Sequence, residues 1–294
     1  METIQERLEK LRKLSKKRLE DSSEAKAGTE LACQAIELTK YRNERNLMLF
    51  PFCSTSKRKR LKTINYKSSD GKRWLQVTAN HEFGMAKIWD FDILRFALSK
   101  AGEVDRHLGY FPPFVQFTAY ECLKAIRRDP DRGSSYQWLE KALARLVSTT
   151  YIGNIFREDE QLTSGFTLIR YEHIKNANGL VEAIKMTFDE RLIESVRYSK
   201  GLLAIDENVI KEDSGIKKRL LELVKVSKGE ALQWKVRLSR LKEMCAYEGE
   251  IKEFKRILKC RSLPWDIEFV KAINEDNILI FNNLKKLVST VEVG

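Results

Sequence analysis

The spacing of apolar residues changes along this chain, and the stretch 133–170 shows the change most clearly. Its first half has four apolar residues at helical spacing, Leu139, Ala142, Leu143 and Leu146. Ser134 and Gln137, which stand three residues apart before this stripe, match a capping box at a helix start. Two strand-like segments follow at 149–156 and 165–170. The pattern predicts one amphipathic helix followed directly by a β-ribbon.

The side of this predicted helix opposite the apolar stripe is polar. It carries side chains that can form hydrogen bonds with phosphates or base edges, namely Ser135, Gln137, Lys141 and Arg145. A helix presented in this way and backed by a β-ribbon is the layout of a winged helix-turn-helix. Any helix that packs beside a hairpin in an α+β domain gives the same local pattern, so the neighbouring elements have to decide between the two.

A further helix precedes this one in the order that a helix-turn-helix requires. Thr118 and Glu121 form a capping box, and the Asp129-Pro130 dipeptide ends the predicted helix just before the turn at Gly133. Helix, short turn, helix and ribbon therefore follow one another. The tip of the ribbon holds three acids, Glu158, Asp159 and Glu160. Acids repel phosphates, so we expect this wing to stay outside a DNA groove.

Upstream, the pattern predicts a group of short strands. They lie at 49–53, 61–66 and 74–78. A helix predicted at 88–101 follows, and it is apolar almost all round, as is typical of a buried helix. Asp90 and Asp92 stand at its start, where capping and the helix dipole account for them.

Four consecutive cations stand between the first two of these strands: Lys57, Arg58, Lys59 and Arg60. Such a run is usually a solvated loop, but in a protein this basic a loop that contacts phosphates is nearly as good an interpretation. A run of this kind supplies no sequence specificity by itself.

A related pattern recurs after residue 214. Its predicted elements are a helix at 216–226, a short helix capped by Ser239, a turn at Gly249, a helix at 250–260, and strands at 265–270 and 278–281. The helix at 250–260 has a stripe of cations with no acid among them. These are Lys252, Lys255, Arg256 and Lys259, with Arg261 just beyond. A charged solvent face is the alternative, but the lopsided charge and the helix-turn-helix order favour DNA contact.

The predicted fold class is therefore α+β, with two tandem winged helix-turn-helix domains behind an N-terminal helical arm. We place the basic arm at 1–45, the first domain at 46–200 and the second at 201–294. Within the arm, a helix is predicted at about 29–45, and the basic amphipathic stretch 1–20 could lie along DNA, along a membrane surface or against a protein partner.

Composition narrows the class of partner. The 294 residues include 54 Lys and Arg against 42 Asp and Glu, which gives a net charge of +12 and a pI of about 9.4. Such a molecule attracts polyanions, with nucleic acid first and an acidic membrane second. The sequence contains neither a run long enough to span a membrane nor a signal-peptide core, so we expect a cytoplasmic protein. The five cysteines and three histidines lack zinc-site spacing.

Several blocks of sequence resemble the plasmid replication initiator protein A family. They lie at 47–60, 74–80, 83–94, 143–155 and 253–264, and the block 83–94 (FGMAKIWDFDIL) is the most specific. Together they extend over most of the chain from about residue 45 to 270. Several such blocks in the same order are strong support for the resemblance.

The resemblance implies an initiator of theta-type plasmid replication that is built from two winged-helix domains. Such a protein would bind repeated origin sequences, or iterons, in double-stranded DNA and help to open the duplex. It would also load the host replication initiator and helicase, regulate its own synthesis, and exchange between monomer and dimer.

The residues themselves favour a binding protein over an enzyme. No two histidines are close enough in sequence to suggest the metal site of a DNA-nicking enzyme, and the one Gly-Lys pair, Gly71-Lys72, has Tyr66 where a P-loop needs glycine. We therefore predict no catalytic residue, no cofactor and no metal.

Two other functions share some of these features. A winged-helix transcriptional repressor would have the same fold and charge, but it usually obtains its second DNA-reading unit by dimerising, so two unlike units on one chain favour an initiator. A membrane-associated protein that relies on residues 1–20 is the third possibility, although we predict no membrane partner.

Overall fold

The computed structural model describes residues 38–156, 163–179, 181–199, 201–229, 231, 233–260, 265–271 and 277–283. Predictions for the arm before residue 38, for the acidic tip Glu158–Glu160 and for Arg261 lie outside the described residues. The mixture of helices and antiparallel sheets agrees with the predicted α+β class.

The described helices are numbered here in chain order. They are α1 Arg45–Leu49, α2 Phe91–Leu108, α3 Ala119–Ala125, α4 Gly133–Ser148, α5 Glu190–Ser199, α6 Asn208–Lys211, α7 Gly215–Lys228, α8 Leu238–Met244 and α9 Ile251–Cys260. The strands are β1 Arg42–Glu44, β2 Ile64–Lys67, β3 Trp74–Thr78, β4 Phe114–Phe117, β5 Thr150–Gly153, β6 Ser164–Phe166, β7 Ile169–Lys175, β8 Val181–Phe188, β9 Leu202–Ala204, β10 Gln233–Arg237, β11 Trp265–Lys271 and β12 Asn277–Asn283.

Two parts of the chain repeat one arrangement. The first unit, residues 91–188, contains α2, β4, α3, α4, β7 and β8, and these three strands form a sheet in the order β4-β8-β7. The second unit, residues 215–283, contains α7, β10, α8, α9, β11 and β12, and its three strands form a sheet in the order β10-β12-β11. Apart from β5 and β6, which follow α4 and belong to another sheet, each unit is therefore helix, strand, helix, helix, strand, strand, and in each the last strand pairs with both others.

The same unusual turn joins the second and third helices of each unit. Arg127 follows α3 with a φ of 61°, and Ala246 follows α8 with a φ of 48°. In both turns the amide of this left-handed residue bonds to the carbonyl three residues back, and the next amide bonds to the carbonyl five residues back. This is the hydrogen-bond pattern of a Schellman helix end, here formed without glycine.

The β-ribbon predicted directly after α4 belongs to a different sheet. Its strands β5 and β6 do pair, with Tyr151 opposite Phe166, but they extend β2 and β3 into a sheet of order β2-β3-β5-β6. Gly153 permits this pairing, because a Cβ there would stand 2.3 Å from the Trp74 carbonyl oxygen. The prediction that these strands form the wing of the first unit is wrong, and the hairpin in the sheet of that unit is β7-β8.

Several predicted ends and elements differ from the structure. The helix predicted at 29–45 is contradicted at Arg42–Glu44, which form β1 and pair with β9. The segment predicted as a strand at 49–53 is instead the end of α1 and irregular backbone, because Pro51 has no amide to donate to a strand. The two caps predicted at Ser134 and Ser239 are wrong, since α4 begins at Gly133 and α8 at Leu238.

Other predicted elements are confirmed. The strand Trp74–Thr78 has the predicted bounds, and the hydroxyl of Thr118 accepts the Glu121 amide at 3.0 Å, as a capping box requires. The helix predicted at 88–101 is α2, and most of its side chains are buried.

A buried network of charges joins the first helices of the two units. Lys218 of α7 pairs with Asp92 of α2, and a guanidinium nitrogen of Arg95 lies 2.8 Å from Glu222 of α7. The side chains of all four residues are at most 7% exposed. Asp92 is therefore not explained by helix capping, as the sequence had suggested, and the Asp90 side chain makes no capping bond either.

Close backbone packing also joins the second unit to the segment before β2. Gly215 begins α7, and a Cβ there would stand 2.1 Å from the Thr55 carbonyl oxygen. Thr55 in turn donates its hydroxyl to the Cys245 carbonyl at 3.2 Å.

We expect Gly215→Ala to lower the free energy of unfolding by about 1–3 kcal/mol, the usual cost of overpacking. Gly133→Ala is the matched control, because Gly133 also begins a helix and has nothing within 4 Å of an added Cβ. Urea unfolding of both variants measures the difference. Equal stabilities would contradict the close approach of Gly215 and Thr55.

We expect Glu222→Gln to lower the free energy of unfolding by about 3–5 kcal/mol, because it leaves the buried cations Arg95 and Lys218 to share one buried carboxylate, that of Asp92. Glu207→Gln is the control, since Glu207 forms an exposed pair with Lys211 and should change stability little. Thermal unfolding followed by circular dichroism measures both. A Glu222→Gln variant as stable as the control would show that the network does not hold the units together.

Candidate nucleic-acid interface

Helix α9 presents its cations on the side opposite its core residues. Phe254 is fully buried and packs against the Tyr247 ring at a centroid distance of 5.1 Å. Lys252, Arg256 and Lys259 are exposed, whereas Lys255 is half-buried. The stripe predicted from the sequence is therefore largely accessible.

Strand β11 fixes part of this stripe. The ammonium groups of Lys255 and Lys259 lie 5.7 Å and 5.3 Å from the centroid of the Phe269 ring. Cation–π contacts of this kind hold the two lysines over the strand while leaving their charge on the surface. The strand thereby positions the cationic face of α9, a relation that helical spacing alone does not show.

Glu253, which lies next to this stripe, forms a hydrogen bond with the neighbouring Tyr247 side chain. Burial raises the pKa of Tyr247, and a hydrogen bond with Glu253 raises it further. Glu253 is thus directed at Tyr247 in the turn before α9, and the neighbouring stripe keeps its positive character.

Helix α4 of the first unit offers a weaker surface than predicted. Ser135 is 7% exposed, and the Arg145 guanidinium binds both carboxylate oxygens of the buried Asp90 at 2.7 Å and 2.8 Å. Burial raises the pKa of Asp90, and Arg145 opposes that shift. The prediction that Ser135 and Arg145 lie on a free face is wrong, because Ser135 is buried and the Arg145 guanidinium is bound by Asp90 at the start of α2.

The remaining polar residues of α4 carry little net charge. Gln137 and Lys141 are exposed as predicted, but Glu140 is exposed beside them and lies 3.2 Å from the His173 ring of β7. The contact with His173 is not among the predictions, because the predicted strand 165–170 ends before this residue.

The four-cation run divides into two parts. Lys57, Arg58 and Lys59 are exposed, whereas Arg60 is 8% exposed and donates to the Ala246 carbonyl at 2.5 Å. The prediction that Arg60 contacts DNA is wrong, because its guanidinium is buried between this loop and the second unit.

Within the described parts of the chain, no three His, Cys, Asp or Glu residues are placed to hold a metal ion. No helix in those ranges is both long and apolar enough to cross a membrane. Cys53, Cys122 and Cys245 are buried free thiols, and burial raises the pKa of each of them.

Comparison with solved structures finds a likeness of fold. A crystal structure of domain 2 and domain 3 of RctB superposes with a TM-score of 0.56, covering 81% of this chain and 98% of that one. The two sequences are only 12% identical, so the likeness concerns the fold alone.

Comparison of sequences gives a relative and a family. A putative replication protein of Wigglesworthia glossinidia brevipalpis is 27% identical over 181 residues, which are 60% of this chain and 65% of that protein. The match thus spans just under two thirds of the relative's length. The family model of replication initiator protein A matches residues 42–264, which is about three quarters of the chain and confirms the resemblance found in the sequence blocks. This chain therefore belongs to the replication initiator protein A family.

Proposed function

We propose that this protein initiates plasmid replication by binding specific sequences in double-stranded DNA, without catalysing a reaction. The observation that carries the DNA-binding part is the exposed cationic face of α9 within a helix-turn-helix-like unit. Membership of the replication initiator protein A family supports the replication part.

We interpret both units as winged helix-turn-helix domains. The order of helices and strands, the central position of the last strand and the left-handed turn between the second and third helices are the same in both. In such domains the third helix enters the major groove. That helix is α4 in the first unit and α9 in the second.

The third helices of the two units differ in charge, and we assign them different contributions to DNA binding. Helix α9 exposes Lys252, Arg256 and Lys259, whereas α4 exposes Lys141 beside Glu140. Cations supply most of the affinity for phosphates, while groups such as the Gln137 amide can read base edges. In this proposal the second unit is therefore the main DNA-binding unit, and the first unit is a secondary DNA-binding unit.

The wider role follows from the family and is part of the same proposal. The protein would bind origin repeats in the cytoplasm, help to open the duplex and bring the host replication initiator and helicase to it. A balance between monomer and dimer would regulate this activity.

We expect Arg256→Ala to weaken specific DNA binding by about 1–3 kcal/mol if the side chain contacts a base, or to reduce the salt slope by about one unit if it contacts a phosphate. Lys225→Ala, which removes an exposed cation from α7, is the control. Fluorescence anisotropy at several salt concentrations measures affinity and slope together. If the two variants bind alike, α9 is not the main reader.

We expect a random duplex pool selected on this protein to yield a site of roughly two helical turns, because two unlike units on one chain would read neighbouring stretches of one DNA face. Gln137→Ala should relax the selected sequence at one end of that site only. Recovery of a short palindrome would instead indicate a repressor that binds as a symmetric dimer.

A further inference from the structure

The net charge of the chain is concentrated in one short segment. Residues 57–73, called the basic segment here, contain eight Lys or Arg residues and one Asp. Its net charge of +7 is more than half of the +12 of the whole chain. The segment belongs to neither of the two repeated units, since it comprises a loop, strand β2 and the turn that leads to β3.

Most of these cations are on the surface. The exposed ones are Lys57, Arg58, Lys59, Lys62, Lys67 and Lys72. The acid of the segment, Asp70, accepts hydrogen bonds at 2.5 Å from the Ser68 hydroxyl and at 3.1 Å from the Lys72 amide. Its carboxylate is thus used to form the turn.

The alternation of β2 separates anchoring side chains from outward ones. Ile64 and Tyr66 are buried, whereas Asn65 and Lys67 are exposed. Successive side chains of a strand point to opposite faces, so one face of β2 packs on the hydrophobic core and the other presents Asn65 and Lys67 to solvent.

The second unit holds this segment in place at two points. Arg60 donates to the carbonyl of Ala246, which lies in the turn before α9. Arg240 of α8 stacks over the Tyr66 ring at 4.3 Å and bonds to its hydroxyl. The exposed cations are therefore fixed relative to the two helices α8 and α9, although they are distant from both in sequence.

Acids beside the segment are paired with cations in large part. Glu248 lies 3.6 Å from the Arg60 guanidinium, and Glu212 lies 2.9 Å from the ammonium of Lys217. Asp213 lines a cleft together with Lys57, whose ammonium also lies 5.7 Å from the centroid of the Trp89 ring. Glu212 and Asp213, which line this cleft, reduce the positive charge around Lys57.

We propose that the basic segment is a third DNA-binding element, which contacts backbone phosphates beside the groove that α9 enters. Arg60 is a positioning residue that fixes the segment to the turn before α9. The inference rests on the proposed function, and it concerns affinity rather than sequence choice, because phosphate contacts position a protein on DNA without reading bases.

The test compares two triple variants of equal charge. Arg58→Ala with Lys62→Ala and Lys67→Ala removes three cations from the basic segment, while Lys40→Ala with Arg45→Ala and Lys225→Ala removes three exposed cations from other elements. Each lost phosphate contact lowers the slope of log K against log salt by about 0.9, so we expect a decrease of about 2–3 for the first variant. The control should keep the wild-type slope.

The positioning role of Arg60 is tested by a double-mutant cycle. Arg60→Met keeps every exposed cation, and we expect it to lower the salt slope in the wild-type background and to change it little in the background of the first triple variant. Equal effects of Arg60→Met in both backgrounds would show that Arg60 acts independently of the segment. Thermal unfolding establishes that each variant is folded.

The outcomes separate this inference from the proposed function. If the first triple variant and its control have equal slopes while Arg256→Ala weakens binding, the third element is refuted and the proposed function stands. If the wild-type protein shows no specific binding to any selected duplex, the proposed function itself fails.

Discussion

The buried charges between α2 and α7 determine how the two units are held. Helix α2 contributes Asp92 and Arg95, and α7 contributes Glu222 with the cations Lys218 and Arg219. Burying such charges is tolerable only when each has an opposite charge in good geometry, so this pairing permits few relative orientations of the helices. Burial lowers the pKa of Lys218, and Asp92 opposes that shift. If both units bind DNA, this geometry fixes the distance between their sites, which a flexible linker would leave variable.

The cations of this protein have two different uses. Arg60, Arg95 and Arg219 are buried and Arg145 is partly buried, and each guanidinium binds carbonyls or carboxylates from another part of the chain. The exposed cations of α9 and of the basic segment are mostly lysines. The planar, weakly hydrated guanidinium with its five donors suits buried contacts, whereas the ammonium group is strongly hydrated and suits the surface. The net charge of the chain therefore overstates the positive charge that is exposed for binding a polyanion.

Local patterns located the long amphipathic helices but not the pairing of the strands. The apolar stripes of α4 and α9 lie within one helix each, so spacing alone located both. The partner of Arg145 is 55 residues away, and β5 pairs with β3 across a comparable distance, so neither contact is visible in a short window. Strand β7 was predicted only in part, because the strand expected at 165–170 ends at Arg170, although the alternation of exposed with buried or half-buried residues continues to His173. Among the candidate contacts, the exposed part of the α9 stripe was predicted, whereas the groups that bind Arg60 and Arg145 are distant in sequence.

The two left-handed turns show how a repeated unit acquires unequal roles. In the first unit Arg127 occupies the turn itself and pairs with Glu207, so its charge is balanced by an acid. In the second unit the turn residue is Ala246, and its carbonyl receives Arg60 from the basic segment. The same backbone turn is thus bordered by an exposed Arg127–Glu207 pair in one unit and by the buried Arg60, which lies 3.6 Å from Glu248, in the other. Arg60 ties the second turn to the basic segment, and attraction between charges falls off within about 10 Å at moderate salt. If the two units bind DNA as proposed, the exposed cations of that segment therefore add to the attraction near α9.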